Sequence, residues 1–331
     1  MSFLSQIEVT IGKVFTKYGG DGDDILKNLP PNEREAYRVA QRLRDSLNDI
    51  KKRNLCPTCW LPLDNPPSCC CDRCPPVQFN KPPTTDNSSD SFEERQTSTG
   101  GTSSSSSSFN RLFLIMHHNE IGMSVDTAKL ILAALPNHCR LIVAGIGSEF
   151  QDSMAELEEA LKSKQRRCLV LFPDDDSKTF DDIVNDHKNG DDIQCDIGWD
   201  VVVIDGTWSQ ARRIKNRYFP SSKKSGGSST AIMAKLSDDA MATLEQEFLV
   251  NEDNENVERN PGHQLRKHSI TARKVGTFEA ARLFLADVLK NEYCDDYQNI
   301  DDQAIPPPWI QMKDFQRIAN AAFEENLKLA R

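Results

Sequence analysis

The chain has 331 residues, of which 38% are hydrophobic and 27% charged, and its formal net charge is −10. It contains no apolar run long enough to span a membrane, and its N-terminus lacks a charged stretch followed by an apolar one, so we expect a soluble protein that is not secreted. The acidic balance argues against non-specific binding of nucleic acid through the field of the whole molecule.

The first predicted element is a helix over residues 32–53. Its apolar positions recur at spacings of three and four: Ala36, Val39, Leu43 and Leu47. This spacing is typical of an amphipathic helix that packs one face against a core. We therefore predict an N-terminal helical extension over residues 1–53.

Six of the ten cysteines lie between residues 56 and 74. Because the chain is large and carries no export signal, we expect these thiols to be reduced and to bind metal. Cys56 and Cys59 form one short-spaced pair, and by spacing alone the second pair is either Cys71 with Cys74 or Cys69 with Cys71. Four thiolates close the tetrahedral shell of zinc, so we predict a structural zinc ribbon over residues 54–80.

The next segment, residues 81–108, is rich in Pro, Thr, Ser, Asn and Asp and ends in a run of serines. Such a composition buries too little apolar surface to offset the entropy of ordering the chain. We predict a disordered linker here.

From residue 109, apolar runs alternate with helical patterns. The predicted strands are RLFLIMHH, RLIVAGIG, CLVLFP and WDVVVIDGTW, and the predicted helices are VDTAKLILAALPN, SMAELEEALKSKQ, SQARRIKNRYF and TFEAARLFLADVLKNE. This alternation predicts an α/β domain over residues 109–295, with a mostly parallel sheet flanked by helices. Residues 296–331 then form a C-terminal tail or helix.

Ligands of such sheets bind beyond the carboxyl ends of the strands, which here are followed by residues 117–120, 145–148, 173–176 and 205–208. The last of these segments, DGTW, places an acid, a glycine, a hydroxyl and an aromatic ring at a strand-to-helix turn. Ser209 is positioned to cap the helix that follows. Without further information, Asp205 can equally brace the turn and Trp208 can simply pack.

The segment DGTWSQAR resembles the D-x-T-W signature of the DTW-domain family, the tRNA-uridine aminocarboxypropyltransferases. Other stretches agree in order over about residues 54–290: the cysteine segment, LFPDDD at 171–176, and Leu265 and Arg266 followed by TFEA at 277–280. One departure is Asn119, which stands where the family often has proline. The family looks related to the SPOUT class, so the resemblance implies a knotted α/β domain.

The resemblance also implies an activity: transfer of the 3-amino-3-carboxypropyl group of S-adenosylmethionine to N3 of a uridine in tRNA. It favours Cys56, Cys59, Cys69 and Cys71 as zinc ligands. The expected catalytic residues are Asp205 as general base, with Thr207 and Trp208 beside it. The expected binding residues for S-adenosylmethionine are Gly145, Leu171, Phe172, Pro173, Asp205, Gly206, Trp208, Thr277 and Glu279, and those for RNA are Arg212, Arg213, Lys215, Arg217 and Arg266.

Two other functions fit the same sequence. An S-adenosylmethionine-dependent RNA methyltransferase on this scaffold would release S-adenosylhomocysteine instead of methylthioadenosine. A zinc-ribbon adaptor would bind RNA without catalysis, and its DGTW turn would be purely structural. In each case the expected partner is RNA, and the expected location is the cytoplasm, the nucleus or both.

Overall fold

The computed structural model describes residues 3–63, 69–79, 109–123, 126–163, 167–188, 198–220, 231–249, 275–293 and 305–329. The predicted linker over residues 81–108 lies outside these ranges. No helix within them is both long and apolar enough to cross a membrane.

A parallel sheet forms the centre of the molecule. Its strands in the described residues are β1 (Phe109–Met116), β2 (Cys139–Val143), β3 (Cys168–Leu171), β4 (Trp199–Asp205) and β5 (Ala231–Ala234). They lie in the order β2-β1-β4-β3-β5, and each neighbouring pair is parallel. The predicted α/β class with a mostly parallel sheet is therefore confirmed, although β5 was not among the predicted strands.

Strand β4 is buried on both faces because its apolar run is unbroken. Val201 and Val203 lie in one hydrophobic cluster, whereas Val202 and Ile204 lie in the cluster on the opposite face. Successive side chains of a strand point to opposite faces, so a valine-rich run without alternation requires cover on both sides.

Helices provide this cover. They are α1 (Phe3–Lys17), α2 (Asp23–Asn28), α3 (Pro31–Lys52), α4 (Lys129–Ala134), α5 (Asp152–Lys162), α6 (Phe180–Lys188), α7 (Trp208–Tyr218), α8 (Asp238–Leu249), α9 (Thr277–Tyr293) and α10 (Pro308–Leu329). Helices α5 and α7 cover one face of the sheet. On the other face, residues of α1, α3, α4, α9, α10 and the cysteine segment share one continuous core with the strands. The predicted apolar face of α3 is confirmed, since its four named positions are all buried.

Helix α3 packs against the loops that follow β1 and β2. Gly145, in the loop after β2, has a φ of +97°, and a Cβ atom at this position would lie 2.9 Å from Cγ2 of Val39. Gly122, after β1, has a φ of +88°, and its Cβ would lie 3.4 Å from the Ile50 side chain. The helix approaches both loops so closely because neither residue has a side chain.

Gly145→Ala is expected to lower the free energy of unfolding by about 1–3 kcal/mol, because alanine is strained in this conformation and its Cβ clashes with Val39. Urea denaturation at equilibrium measures the change. The matched control is Gly12→Ala in the middle of α1, where nothing lies within 4 Å of the added Cβ. That control should raise stability by about 0.5–1 kcal/mol, and equal effects at the two positions would contradict the packing argument.

Candidate active site

The carboxyl ends of β1 and β4 bring Asp205 beside the loop that begins at His117. The backbone N–H of His117 donates to the carbonyl oxygen of Asp205 at 3.0 Å. From α9, Thr277 Oγ1 donates to Asp205 Oδ1 at 2.7 Å. Asp205 is only 1% exposed, so its carboxylate lies at the edge where parallel sheets bind ligands but is covered by neighbouring residues.

Two more buried carboxylates lie beside Asp205. One ligand oxygen from each of Glu120, Asp126 and Asp205 falls within 4.8 Å of the others. Asp126 Oδ1 also accepts the backbone N–H of Ala128 at 3.0 Å. The loop after β1 therefore adds acidic groups to the position where β4 ends.

His117 and His118 stack on each other, with ring centroids 4.2 Å apart. His118 Nε2 accepts a hydrogen bond from Arg42 on α3 at 2.8 Å. An arginine only donates, so the neutral His118 ring carries its proton on Nδ1. Burial, together with the charges of His117 and Arg42, lowers the pKa of His118 to about 4, and the ring is therefore uncharged at neutral pH.

The turn after Asp205 is shaped by Gly206 and Thr207. Gly206 has a φ of +151°, and a Cβ there would lie 3.3 Å from Cβ of His117. Thr207, and not Ser209 as the sequence suggested, is the N-cap of α7. Its Oγ1 accepts the N–H of Gln210 at 3.4 Å, while Gln210 Oε1 accepts the N–H of Thr207 at 2.7 Å. This capping box gives the hydroxyl of Thr207 a structural partner.

Trp208 forms an exposed aromatic surface at the same edge. It is 50% exposed and stacks on Phe172, with centroids 5.2 Å apart and an interplanar angle of 15°. The guanidinium of Arg212 lies 5.7 Å from the Trp208 ring centroid. Exposed aromatic rings stack nucleobases in RNA-binding proteins.

The sulfur atoms of Cys56, Cys59, Cys69 and Cys71 converge within 4.8 Å of one another. The Sγ···Sγ distances are 3.8 Å for Cys56–Cys71, 3.6 Å for Cys59–Cys69 and 3.3 Å for Cys69–Cys56. Sulfurs bound to tetrahedral zinc by bonds of about 2.3 Å lie about 3.8 Å apart, so these four residues fit a zinc ion. Cys74 lies outside this group and contacts the carbonyl oxygen of Phe315 at 3.7 Å.

The family model of the DTW domain matches residues 94–303. The chain belongs to the DTW-domain family. This family is known for tRNA-modifying enzymes, so the DGTW turn, the acidic groups and the exposed Trp208 lie in a domain of that kind. A search of curated proteins and a search of solved structures each found no match.

Within the DTW domain, the basic residues predicted to bind RNA fall into different environments. Arg212 and Arg213 are exposed on α7. Lys215 is buried and forms an ion pair with Asp174, and Arg217 pairs with Glu35 of α3. Arg266 lies outside the described residues. The exposed cations that remain available to a polyanion on α7 are therefore Arg212 and Arg213.

The residues predicted to bind S-adenosylmethionine also differ in position. Gly145, Gly206, Trp208 and Thr277 lie at the carboxyl edge described above, and Leu171, Phe172 and Pro173 follow at the end of β3. Glu279 is buried and accepts a hydrogen bond from Gln316 of α10. Burial raises the pKa of the Glu279 carboxyl, and its contact with Gln316 connects α9 to α10.

Sequence reasoning missed two features of this site. Asp126 gave no signal, because a single acid before a helical pattern is usually a cap or a solvated residue. Arg42 reaches His118 only because α3 folds onto the DTW domain. A contact across 76 residues of sequence leaves no local pattern.

Proposed function

We propose that this protein transfers the 3-amino-3-carboxypropyl group of S-adenosylmethionine to N3 of a uridine in tRNA. The observation that carries the proposal is the DTW-domain match, together with the position of Asp205 at the carboxyl end of β4. The exposed stack of Trp208 on Phe172 supports an RNA substrate, since RNA bases splayed out of loops stack on aromatic rings.

In the proposed reaction, uridine N3 attacks Cγ of the methionine moiety, and the bond from Cγ to sulfur breaks to release methylthioadenosine. N3 must lose its proton to become a good nucleophile, and Asp205 is the base that we assign to this step. The hydrogen bond from Thr277 orients the Asp205 carboxylate. Because Asp205 is covered, uridine reaches it only after the residues around it move aside.

The co-substrate would bind along the carboxyl edge of the sheet. We assign Gly145, Leu171, Phe172, Pro173, Gly206, Trp208 and Thr277 to this surface. An enzyme of this type must shield the sulfonium methyl from uridine N3 and present Cγ to it. Correct positioning supplies several kcal/mol of the rate enhancement. A SPOUT-like knot at this edge stays a prediction of the family resemblance.

The four clustered cysteines are proposed to hold structural zinc, with no role in the transfer itself. Arg212 and Arg213 are proposed to contact tRNA phosphates beside the reacting uridine. The proposed activity requires access to tRNA, which we expect in the cytoplasm, the nucleus or both.

Purified protein incubated with S-adenosylmethionine and unmodified tRNA is expected to yield methylthioadenosine and 3-(3-amino-3-carboxypropyl)uridine in equal amounts. Chromatography with mass spectrometry identifies both products, and digestion of the tRNA locates the modified uridine. S-adenosylhomocysteine with a methylated base would instead assign an RNA methyltransferase. Binding of tRNA without either product would favour the adaptor.

A further inference from the structure

Helix α3 lies outside the segment that the family model matches, yet it lines the candidate site. A single stripe of the helix contacts three different parts of the DTW domain. Glu35 forms an ion pair with Arg217 of α7, Val39 packs on Gly145, and Arg42 donates a hydrogen bond to His118. The spacings of four and three residues place these side chains on one face of the helix. This face therefore runs along the carboxyl edge of the sheet.

Two exposed arginines face the stacked histidines from two different helices. Arg42, on α3, donates a hydrogen bond to His118 at 2.8 Å. A Cβ atom at Gly206 would lie 3.2 Å from Cβ of Gln210 of α7 and 3.3 Å from Cβ of His117. Arg213 lies on the same face of α7 as Gln210, three residues later. Burial lowers the pKa of His117, and the charges of Arg213 and Arg42 lower it further against the opposing effect of Glu120. The charges of both arginines therefore act on one histidine, and both arginines are exposed to solvent.

Neither of these arginines is neutralised by a carboxylate within the described residues. By contrast, Arg44 of α3 pairs with Asp21 and Asp45, and Arg217 of α7 pairs with Glu35. Two exposed cations whose charges act on the same uncharged histidine repel each other. An anion bound between them removes this repulsion.

We infer that α3 forms part of the tRNA-binding surface, with Arg42 and Arg213 binding a backbone phosphate of the substrate. The inference rests on the proposed function, since it assigns the anion to tRNA. Arginine suits this task because its planar fork of donors binds phosphate oxygens in pairs. Arg38, one turn before Arg42 and also exposed, extends the same basic surface along the helix. The N-terminal extension would then supply substrate contacts that the DTW domain alone lacks.

Arg42→Ala in the full chain is expected to raise the Kd for unmodified tRNA roughly tenfold, as expected for loss of one hydrogen bond between charged groups. The slope of log Kd against log salt concentration should fall by about one. Filter binding over a salt series measures both quantities. Arg42→Lys keeps the charge without the planar fork and should keep most of the salt slope, which separates phosphate binding from a change in folding.

The matched control is Arg53→Ala, which removes the same charge directly after the end of α3, where Arg53 pairs only with Asp49 in the described residues. An equal loss in both variants would overturn the inference, because it would show a general charge effect. Calorimetry with S-adenosylmethionine gives the other critical outcome. If Arg42→Ala lowers the affinity for S-adenosylmethionine and leaves tRNA binding unchanged, Arg42 binds the carboxylate of the co-substrate, and the inference is wrong.

Modification by the wild-type protein, measured in the same preparations, tests the proposed function separately. Unchanged tRNA binding by Arg42→Ala, with normal formation of the modified uridine by the wild type, overturns the inference alone. If Arg42→Ala binds tRNA more weakly and with less salt dependence, but the wild type forms no modified uridine, the inference is supported and the proposed transfer is overturned.

Discussion

Asp205→Asn is expected to slow formation of the modified uridine by about 10²–10⁴-fold, the usual contribution of a general base. Asparagine has nearly the same shape, and its side-chain oxygen can still accept the hydroxyl of Thr277. An amide cannot take up the proton of uridine N3. Single-turnover assays measure the rate, and calorimetry should show affinities for S-adenosylmethionine and tRNA close to those of the wild type.

Thr277→Val is the matched control for this prediction. It removes the hydrogen bond that orients the carboxylate but leaves the carboxylate in place. Its effect on the rate should therefore be smaller than that of Asp205→Asn. If both variants lose the same activity, Thr277 is as important as the acid, and orientation is the limiting requirement.

Near-normal turnover by Asp205→Asn would make Asp205 a brace for the turn, and the base would have to be another residue. His118 is poorly suited, because its Nε2 already accepts a hydrogen bond from Arg42 and its Nδ1 carries the ring proton. Glu120 would be the next candidate, since its carboxylate lies in the same acidic group.

The sheet and several of its helices could be predicted from the sequence because their patterns are strong. The unbroken apolar run of β4 requires burial on both faces, and the predicted helix TFEAARLFLADVLKNE is confirmed as α9, which buries Phe278, Ala281 and Leu285. Strand β5 was missed because its four residues are mostly only half-buried and follow a polar stretch. Short strands of this kind depend on pairing partners rather than on local pattern.

The candidate site was only partly predictable, although two of its details did have local signals. Thr207 and Gln210 are spaced as a capping box, which identifies Thr207 as the cap in preference to Ser209. Lys215 lies one helical turn after Ala211 and next to Ile214, on the buried stripe of α7. Helical periodicity therefore separates it from the exposed Arg212 and Arg213. The approach of α3 to Gly145 had no such signal, because it arises from tertiary packing.

Cys59→Ser is expected to reduce bound zinc from about one ion per chain to almost none. It should also lower stability by several kcal/mol, since structural zinc contributes about 10–16 kcal/mol in small zinc-finger peptides. Cys59 and the adjacent Trp60 are fully buried. Trp60 contacts Phe3 of α1, with ring centroids 5.6 Å apart, and the ammonium of Lys129 lies 5.2 Å from its ring centroid. Loss of the metal should therefore loosen the packing of α1 and α4 as well as the cysteine segment.

Cys74→Ser distinguishes the four clustered cysteines from the other ligand set that the spacing allows. Cys74 lies outside the group and contacts the carbonyl oxygen of Phe315, which a serine hydroxyl can also do. This variant should keep its zinc and most of its thermal stability, whereas Cys69→Ser should lose both. Metal analysis of the purified variants, paired with thermal unfolding, makes the comparison. Zinc retained by Cys69→Ser and lost by Cys74→Ser would assign the metal to Cys56, Cys59, Cys71 and Cys74, and the sulfur positions described above would then have to rearrange when zinc binds.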